Sequence, residues 1–264
     1  MRLLPWDMLS IVQLQEFDVR GYTRVQDAVD PDALERVREQ LWCELAPFGL
    51  ERDRPESFRR ARPKGLQTTA NDDRYDALFD EEVCACVDTL LGARRWHAPA
   101  HWGQLLLSLP VDQRWTIPSQ AWHLDLPAQI PDSKRPGVQL FICVEDIQPR
   151  CGATVVASGT QQLVQSVLQA EGLPAKHGSA TLRRRIANES EWFAQLLRKE
   201  RVGPWRDEAF LEPHLEAGIE LGVDELTGTA GDLILMHPYL FHAPAANAGP
   251  ALRIALTQRI YAVA

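Results

Sequence analysis

The sequence predicts a mainly β protein: an antiparallel sandwich or barrel, best fitted by a jelly roll, with helices outside it and a long helical insertion. Three observations carry this. From about residue 95 onward, short apolar and β-branched runs ("HWGQLLLSLP", "QAWHLDLP", "GVQLFICVED", "ATVVASGT", "GIELGV", "LRIALTQRIYA") are separated by Pro, Gly and Asp turns. Most of these runs are joined too closely for the crossovers that parallel strands need. Between about residues 161 and 205 the pattern changes to that of helices. No internal repeat, low-complexity tract or Gly/Ser linker divides the 264 residues. The expectation is a single domain over 1–264, with the β core at about 95–264.

Taken in order, "MRLLPWDMLSIVQLQEF" interrupts its apolar residues with Pro5 and Asp7 and lacks a small-residue cleavage pattern, so it does not read as a signal peptide. "YTRVQDAV" reads as a short strand. "DPDALERVREQLWCEL" is a helix: Asp30 suits the N-cap, Pro31 the first turn, and Leu34, Val37, Leu41 and Leu45 form one apolar stripe. "DALFDEEVCACVDTLLG" is a second amphipathic helix that Gly92 is placed to end. "GDLILMHPYLFHA" and "LRIALTQRIYA" are the last strands, joined by the turn "AANAGP".

Composition narrows the function. With 45% apolar and 24% charged residues the chain is an ordinary globular one. Its net charge of −8 argues against nucleic acid or an anionic membrane as the main partner, since both require a basic footprint. The cations between Arg183 and Arg206 ("LRRRIAN", "LLRKERVGPWR") read as a solvated helix face. No run has the length of a membrane span. The five cysteines are odd in number, and Cys84 and Cys86 stand on different faces of a helix, so neither a disulfide framework nor a zinc site fits. A reducing cytoplasm is expected, with a small-molecule substrate and no obligate protein partner.

The chemistry concentrates in "WHLDLP". In an extended strand His123 and Asp125 point to one side and Trp122 and Leu124 to the other, so an imidazole and a carboxylate can converge on one ion. A strand whose polar residues merely face water presents the same pair. A third ligand must come from elsewhere. His97 and His101 are split by Pro99 and read as loop residues, while His177 and His214 lie in polar surroundings. His242 and His237 remain, in "GDLILMHPYLFHAPAANAGPALRIAL". On the following strand Arg253, Ala255 and Thr257 share a face, which describes a wall for a small anion. A buried guanidinium needs a partner, and a carboxylate held by two hydrogen bonds is the natural one. A strand-end arginine paired on the surface is the alternative.

The pattern His-x-Asp, a long gap, His, then Arg eleven residues on resembles the Fe(II)/2-oxoglutarate oxygenases. More narrowly, the chain is similar to the phytanoyl-CoA dioxygenase family, which includes ectoine hydroxylase. The resemblance extends over "FDVRGYTRVQDAVDPDALERVREQLW", "WHLDLP", "VEDIQPRCGATVVASGTQQ" and "GDLILMHPYLFHAPAANAGPALRIAL", and implies a double-stranded β-helix of the cupin type. It implies His123, Asp125 and His242 as iron ligands, with His237 structural, because only His242 has the family's offset to Arg253. It makes Arg253 the anchor for the distal carboxylate of 2-oxoglutarate. Gln104 and Ser108, on "WGQLLLSLP", become secondary contacts to that cosubstrate. The chain departs from the family at Pro244, where relatives often carry serine, and Thr257 is the candidate to replace that contact. It departs again at Ala157-Ser158-Gly159-Thr160, where they carry Pro-Gly-Ser-His.

The implied cofactors are Fe(II), 2-oxoglutarate and O2, and the implied reaction releases succinate and CO2 while hydroxylating a C–H bond. Halogenating relatives have a small residue where this chain has Asp125, so the carboxylate favours hydroxylation, or desaturation or ring formation, over halogenation. Two other readings stay open at this point: a cupin-like metal isomerase or hydrolase without 2-oxoglutarate, and a non-catalytic ligand-binding barrel. The helical insertion could cover the barrel mouth, with Trp192, Phe193 and Arg183 to Arg185 meeting a substrate or simply completing an amphipathic helix.

Overall fold

A computed structural model describes residues 8–60, 73–127, 133–172 and 178–263. The chain opens with a helix that the sequence reading does not contain, α1 (Ile11–Arg20). Its signal is a capping box: Ser10 accepts from the backbone of Gln13, and the Gln13 side chain returns to the Ser10 backbone. Gly21 ends it at φ 86°, where a Cβ would come within 2.8 Å of Gln161 and Leu240 side-chain atoms. Next come β1 (Tyr22–Val25) and α2 (Pro31–Leu45), capped by Asp30 and burying Leu34, Val37, Leu41 and Leu45 as the stripe requires. After the short α3 (Pro55–Arg60), the expected helix from Asp76 begins later. Residues 76–78 form a 3-10 turn, and α4 (Glu81–Leu91) starts where the Asp80 carboxylate accepts from the Glu82 and Val83 amides.

The remaining elements build two antiparallel sheets. In chain order they are β2 (Gln104–Ser108), β3 (Gly137–Cys143), β4 (Thr154–Ser158), α5 (Thr160–Glu171), α6 (Ser179–Glu189), α7 (Glu191–Leu196), α8 (Asp207–Phe210), β5 (His214–Glu216), β6 (Ile219–Glu225), β7 (Leu233–Met236), β8 (His242–Pro244) and β9 (Arg253–Tyr261). The large sheet runs β1-β7-β3-β9-β2 and the small one β5-β6-β4-β8. Since β1 pairs with β7, the large sheet draws on chain well before residue 95. The helical stretch between β4 and β5 reaches Phe210. Among the described residues no helix is long and apolar enough to cross a membrane.

Strict alternation decides what each face meets. On the large sheet Leu105, Leu107, Val138, Leu140, Ile142, Leu233, Leu235, Ile254 and Leu256 face outward into one core with α2 and α4. Their neighbours Phe141, Cys143, Ile234, Met236 and Ala255 face inward, where they meet Val156 of the small sheet. Val155 and Ala157, alternating with Val156, pack outward against α5, α6 and α7. Helices therefore cover both outer faces, and the polar residues that share the inward register of β2, β3 and β9 are directed between the sheets.

Two strand expectations are corrected. "GDLILMHPYLFHA" is two strands in different sheets, because His237 turns the chain: its Nδ1 accepts from the Tyr239 amide at 3.0 Å and its carbonyl from the Leu240 amide at 2.9 Å. "QAWHLDLP" is no regular strand. Only His123 pairs, through an isolated bridge to His242. Trp122 and Leu124 are nevertheless buried together in the outer core, as alternation requires.

Candidate active site

That bridge is the first structural fact about the site. The His123 amide donates to the His242 carbonyl at 3.0 Å, and the His242 amide donates back to the His123 carbonyl at 3.1 Å. Two residues 119 positions apart are thereby locked opposite each other, with ring centroids 4.2 Å apart. Each imidazole is then oriented by its own loop. The Nδ1 of His123 lies 2.8 Å from the Ala121 carbonyl, and that of His242 lies 3.1 Å from the Leu240 carbonyl. A carbonyl only accepts, so both Nδ1 atoms carry a proton, and Nε2 is the ring nitrogen of each histidine that would bind a cation once it carries none. Ala121 is held at φ 65° in presenting that carbonyl, a conformation that costs about 1 kcal/mol or more and recurs at functional sites.

Asp125 closes the cluster. Its Oδ2 lies 3.5 Å from His242 Nε2, and one ligand atom from each of His123, Asp125 and His242 falls within 4.8 Å of the others. Burial works to raise the Asp125 carboxyl, but the hydrogen bond from His242 and the charges of His242, Arg259 and His123 outweigh it and hold it at about 2. Burial, with repulsion from His242, lowers His123. Metal coordination would use the carboxylate as it stands and would replace any proton on the Nε2 atoms.

The cluster opens on a cavity of about 330 Å³, also lined by Gln104, Ser108, Gln139, Phe141, Thr154, Arg253, Thr257 and Arg259. Every sequence-predicted site residue is thus brought to one cavity. Register explains how: on β2 and β9, Gln104 stands opposite Thr257 and Ser108 opposite Arg253. Arg253 is buried, and burial pulls its guanidinium down to about 10. Its Nη2 donates to the Thr154 hydroxyl at 3.0 Å, and its buried Nε has no partner among the described residues. Among the described residues no carboxylate lies within ion-pair distance of it. The Oε1 of Gln139, in the same wall, is also buried without a partner among the described residues. A buried cation left half-satisfied is a large cost in an empty protein and an asset in one that binds an anion.

A family model for phytanoyl-CoA dioxygenase (PhyH) matches residues 17–255. The chain belongs to the phytanoyl-CoA dioxygenase family. No curated protein matches it by sequence. Among solved structures it is similar to AviO1 from Streptomyces viridochromogenes Tue57, at TM-score 0.55 and 16% identity over 96% of this chain and 95% of that one. It is also similar to the non-heme α-ketoglutarate-dependent carbocyclase SnoK from nogalamycin biosynthesis (0.56, 14%, 98% and 86%). A third is EctD from S. alaskensis with 2-oxoglutarate and 5-hydroxyectoine (0.56, 16%, 99% and 79%). At these identities the likeness carries the fold.

Thr257 lines the cavity, and its hydroxyl donates to the Leu140 carbonyl at 2.9 Å and accepts from Gln139 at 3.2 Å. The hydroxyl that meets Arg253 belongs to Thr154, which the sequence reading missed. It also missed Gln139, Phe141 and Arg259, although the period-2 rule places Gln139 and Phe141 beside Cys143, and Arg259 beside Arg253 and Thr257. His237 lies outside the cluster and is buried, hydrogen-bonding at Nδ1 and Nε2 to the Tyr239 amide and Lys134 carbonyl. His101 faces Asp76 and His214 stacks near Trp205, while His177 lies outside the described residues. In the insertion, Trp192 and Phe193 are fully buried against Phe210 and Phe241, so they complete a core and do not face the cavity. Arg183 instead donates to the Trp122 carbonyl, and the Ser179 hydroxyl accepts from the Leu124 amide, both at 2.8 Å. Helix α6 therefore braces the irregular segment that carries His123 and Asp125.

Proposed function

We propose that this protein is an Fe(II)- and 2-oxoglutarate-dependent oxygenase that uses O2 to hydroxylate an unactivated C–H bond of a small molecule. The observation that carries the reading is Arg253: a buried guanidinium that, among the described residues, has one hydroxyl partner and no carboxylate, in the same cavity as a His-Asp-His cluster. A dicarboxylate cosubstrate meets both ends of that arrangement. A metal isomerase, a hydrolase or a plain binding barrel leaves Arg253 without a purpose.

His123 and His242, through Nε2, and Asp125, through Oδ2, would hold the iron. Two histidines and one carboxylate leave open positions for the cosubstrate and O2. Iron with 2-oxoglutarate supplies the oxidising power for C–H cleavage, with release of succinate and CO2. The chain does the rest. Arg253, steered by Thr154, binds the far carboxylate and sets how deep the cosubstrate sits. Leu106 and Phe141 line the cavity and limit water there. Gln104 and Ser108, on the adjacent strand, offer polar contacts along the bound chain. Asp125 as a ligand favours hydroxylation, or desaturation or ring formation, over halogenation. The substrate belongs to the natural-product intermediates, amino-acid derivatives or acyl thioesters on which the family acts.

In this reading the two sheets are the halves of a double-stranded β-helix (a jelly roll), and residues 1–264 form one domain with a helical insertion at about 161–205. All five cysteines are free, which suits a cytoplasmic setting.

The test is anaerobic. Metal-free protein given Fe(II) and 2-oxoglutarate should develop the visible metal-to-cosubstrate charge-transfer band. His123→Ala should abolish it, and Arg253→Ala should demand far more cosubstrate. Iron binding by the wild type with no band at any 2-oxoglutarate concentration refutes the proposal.

A further inference from the structure

We infer that Arg259 is a positioning residue that restricts Asp125 to a single metal-binding oxygen. This rests on the reading of the His-Asp-His cluster as a metal site. The two carboxylate oxygens of Asp125 have different partners. Oδ2 faces His242 Nε2 at 3.5 Å, inside the cluster, whereas Oδ1 accepts from Arg259 Nη1 at 3.2 Å, on the other side. The backbone next to it is tethered as well: the Tyr261 hydroxyl donates to the Asp125 carbonyl at 3.4 Å. Both tethers come from β9, the strand that carries Arg253.

Register makes the arrangement systematic. Arg253, Ala255, Thr257 and Arg259 share one face of β9, so the strand aims one arginine at each end of the cavity wall, six residues or roughly 20 Å apart. Arg253 is buried and has no carboxylate partner among the described residues; Arg259 is 44% exposed and has Asp125. Asp125 sits in coil, outside any sheet ladder, so its backbone does not fix its carboxylate plane. A cation beside a metal-binding carboxylate weakens it as a donor, so the pairing needs a compensating use. Geometry supplies one. A carboxylate free to rotate can chelate with both oxygens and occupy a position that a bidentate cosubstrate needs. With Oδ1 engaged by a guanidinium, only Oδ2 is available.

The test separates this role from an ordinary surface ion pair, which is worth little. Arg259→Gln and Arg259→Lys are loaded with Co(II), whose visible d–d spectrum reports the number of donor atoms, first without any cosubstrate. Arg259→Gln should change that spectrum relative to wild type and bind Co(II) as tightly or more tightly, as a second carboxylate oxygen joins. Arg259→Lys, which keeps one charged donor, should fall between. Addition of 2-oxoglutarate should then show affinity about tenfold weaker in Arg259→Gln. An unchanged Co(II) spectrum in Arg259→Gln overturns the inference, as does a parallel loss of Co(II) affinity and thermal stability. The first arm contains no cosubstrate, so a wild type that ignores 2-oxoglutarate refutes the oxygenase reading while the Co(II) spectra still decide the role of Arg259.

Discussion

Removing the charge at residue 253 should make the protein more stable and useless. Burial pulls the Arg253 guanidinium down to about 10, which corresponds to ~3 kcal/mol against the charged form. At neutral pH the group is protonated both folded and unfolded, so the whole penalty is present. Arg253→Met keeps an apolar stem of similar reach, removes that penalty, and gives up the hydrogen bond to Thr154, worth about 1–2 kcal/mol. The net gain is ~1–2 kcal/mol, or a Tm about 2–4 °C above wild type at this chain length. The assay is thermal melting in chelator, repeated with Co(II) and 2-oxoglutarate. Wild type should gain ~3 kcal/mol when the cosubstrate is a hundredfold above its Kd, and the variant should gain nothing from it. If the variant melts at or below wild type in chelator, the argument that Arg253 is held unsatisfied for a ligand fails.

The hydroxyl of Thr154 should matter in the same experiment: Thr154→Val leaves metal affinity unchanged and weakens 2-oxoglutarate about tenfold by titration, whereas equal loss of both would contradict its assignment to Arg253. Arg183→Ala unties the Trp122 carbonyl from α6, and chelator competition should show metal affinity about tenfold lower with a Tm shift of only a few degrees. An unchanged affinity would mean that α6 does not brace the metal end. His237 sets an acid limit. Burial holds its folded value at about 4 against ~6.5 unfolded, so above pH 7 both states are neutral and stability is flat. As pH falls from 6.5 toward 4 the unfolded chain takes a proton that the folded chain refuses, and up to ~3 kcal/mol is lost. Urea midpoints for His237→Gln should fall less steeply over that window than those of wild type, and parallel slopes would refute the assignment.

What the sequence disclosed about this site, and what it withheld, divides along a physical line. Side-chain alternation is a local property, so Arg253, Thr257, Gln104 and Ser108 could be placed on shared faces before any fold was known. Which hydroxyl meets Arg253 depends on β4 of the small sheet lying across from β9 of the large one, and no window of sequence contains both. The same holds for the turn at His237, whose strand-like neighbours Leu233–Met236 and His242–Pro244 differ in nothing local yet join different sheets. Helix α1 was legible in principle, since Ser10 and Gln13 spell its capping box, but Met8, Ile11 and Val12 remain exposed and gave no apolar stripe to notice.

The segment 119–127 is the instructive case. Strand geometry selects the right pair there, and yet the segment is not a strand. Alternation survives because the buried side chains Trp122 and Leu124 are gripped by the outer core, which turns His123 and Asp125 the other way whether or not a ladder forms. In place of a ladder the segment has four separate holds: the reciprocal His123–His242 bridge, Arg183 on the Trp122 carbonyl, Ser179 on the Leu124 amide, and Arg259 with Tyr261 on Asp125. A ladder would spend the backbone groups of this segment on a neighbouring strand. Leaving them to individual side chains lets His123 and Asp125 be aimed separately. That is what a site needs when its donor atoms must meet within 4.8 Å and still leave room beside them.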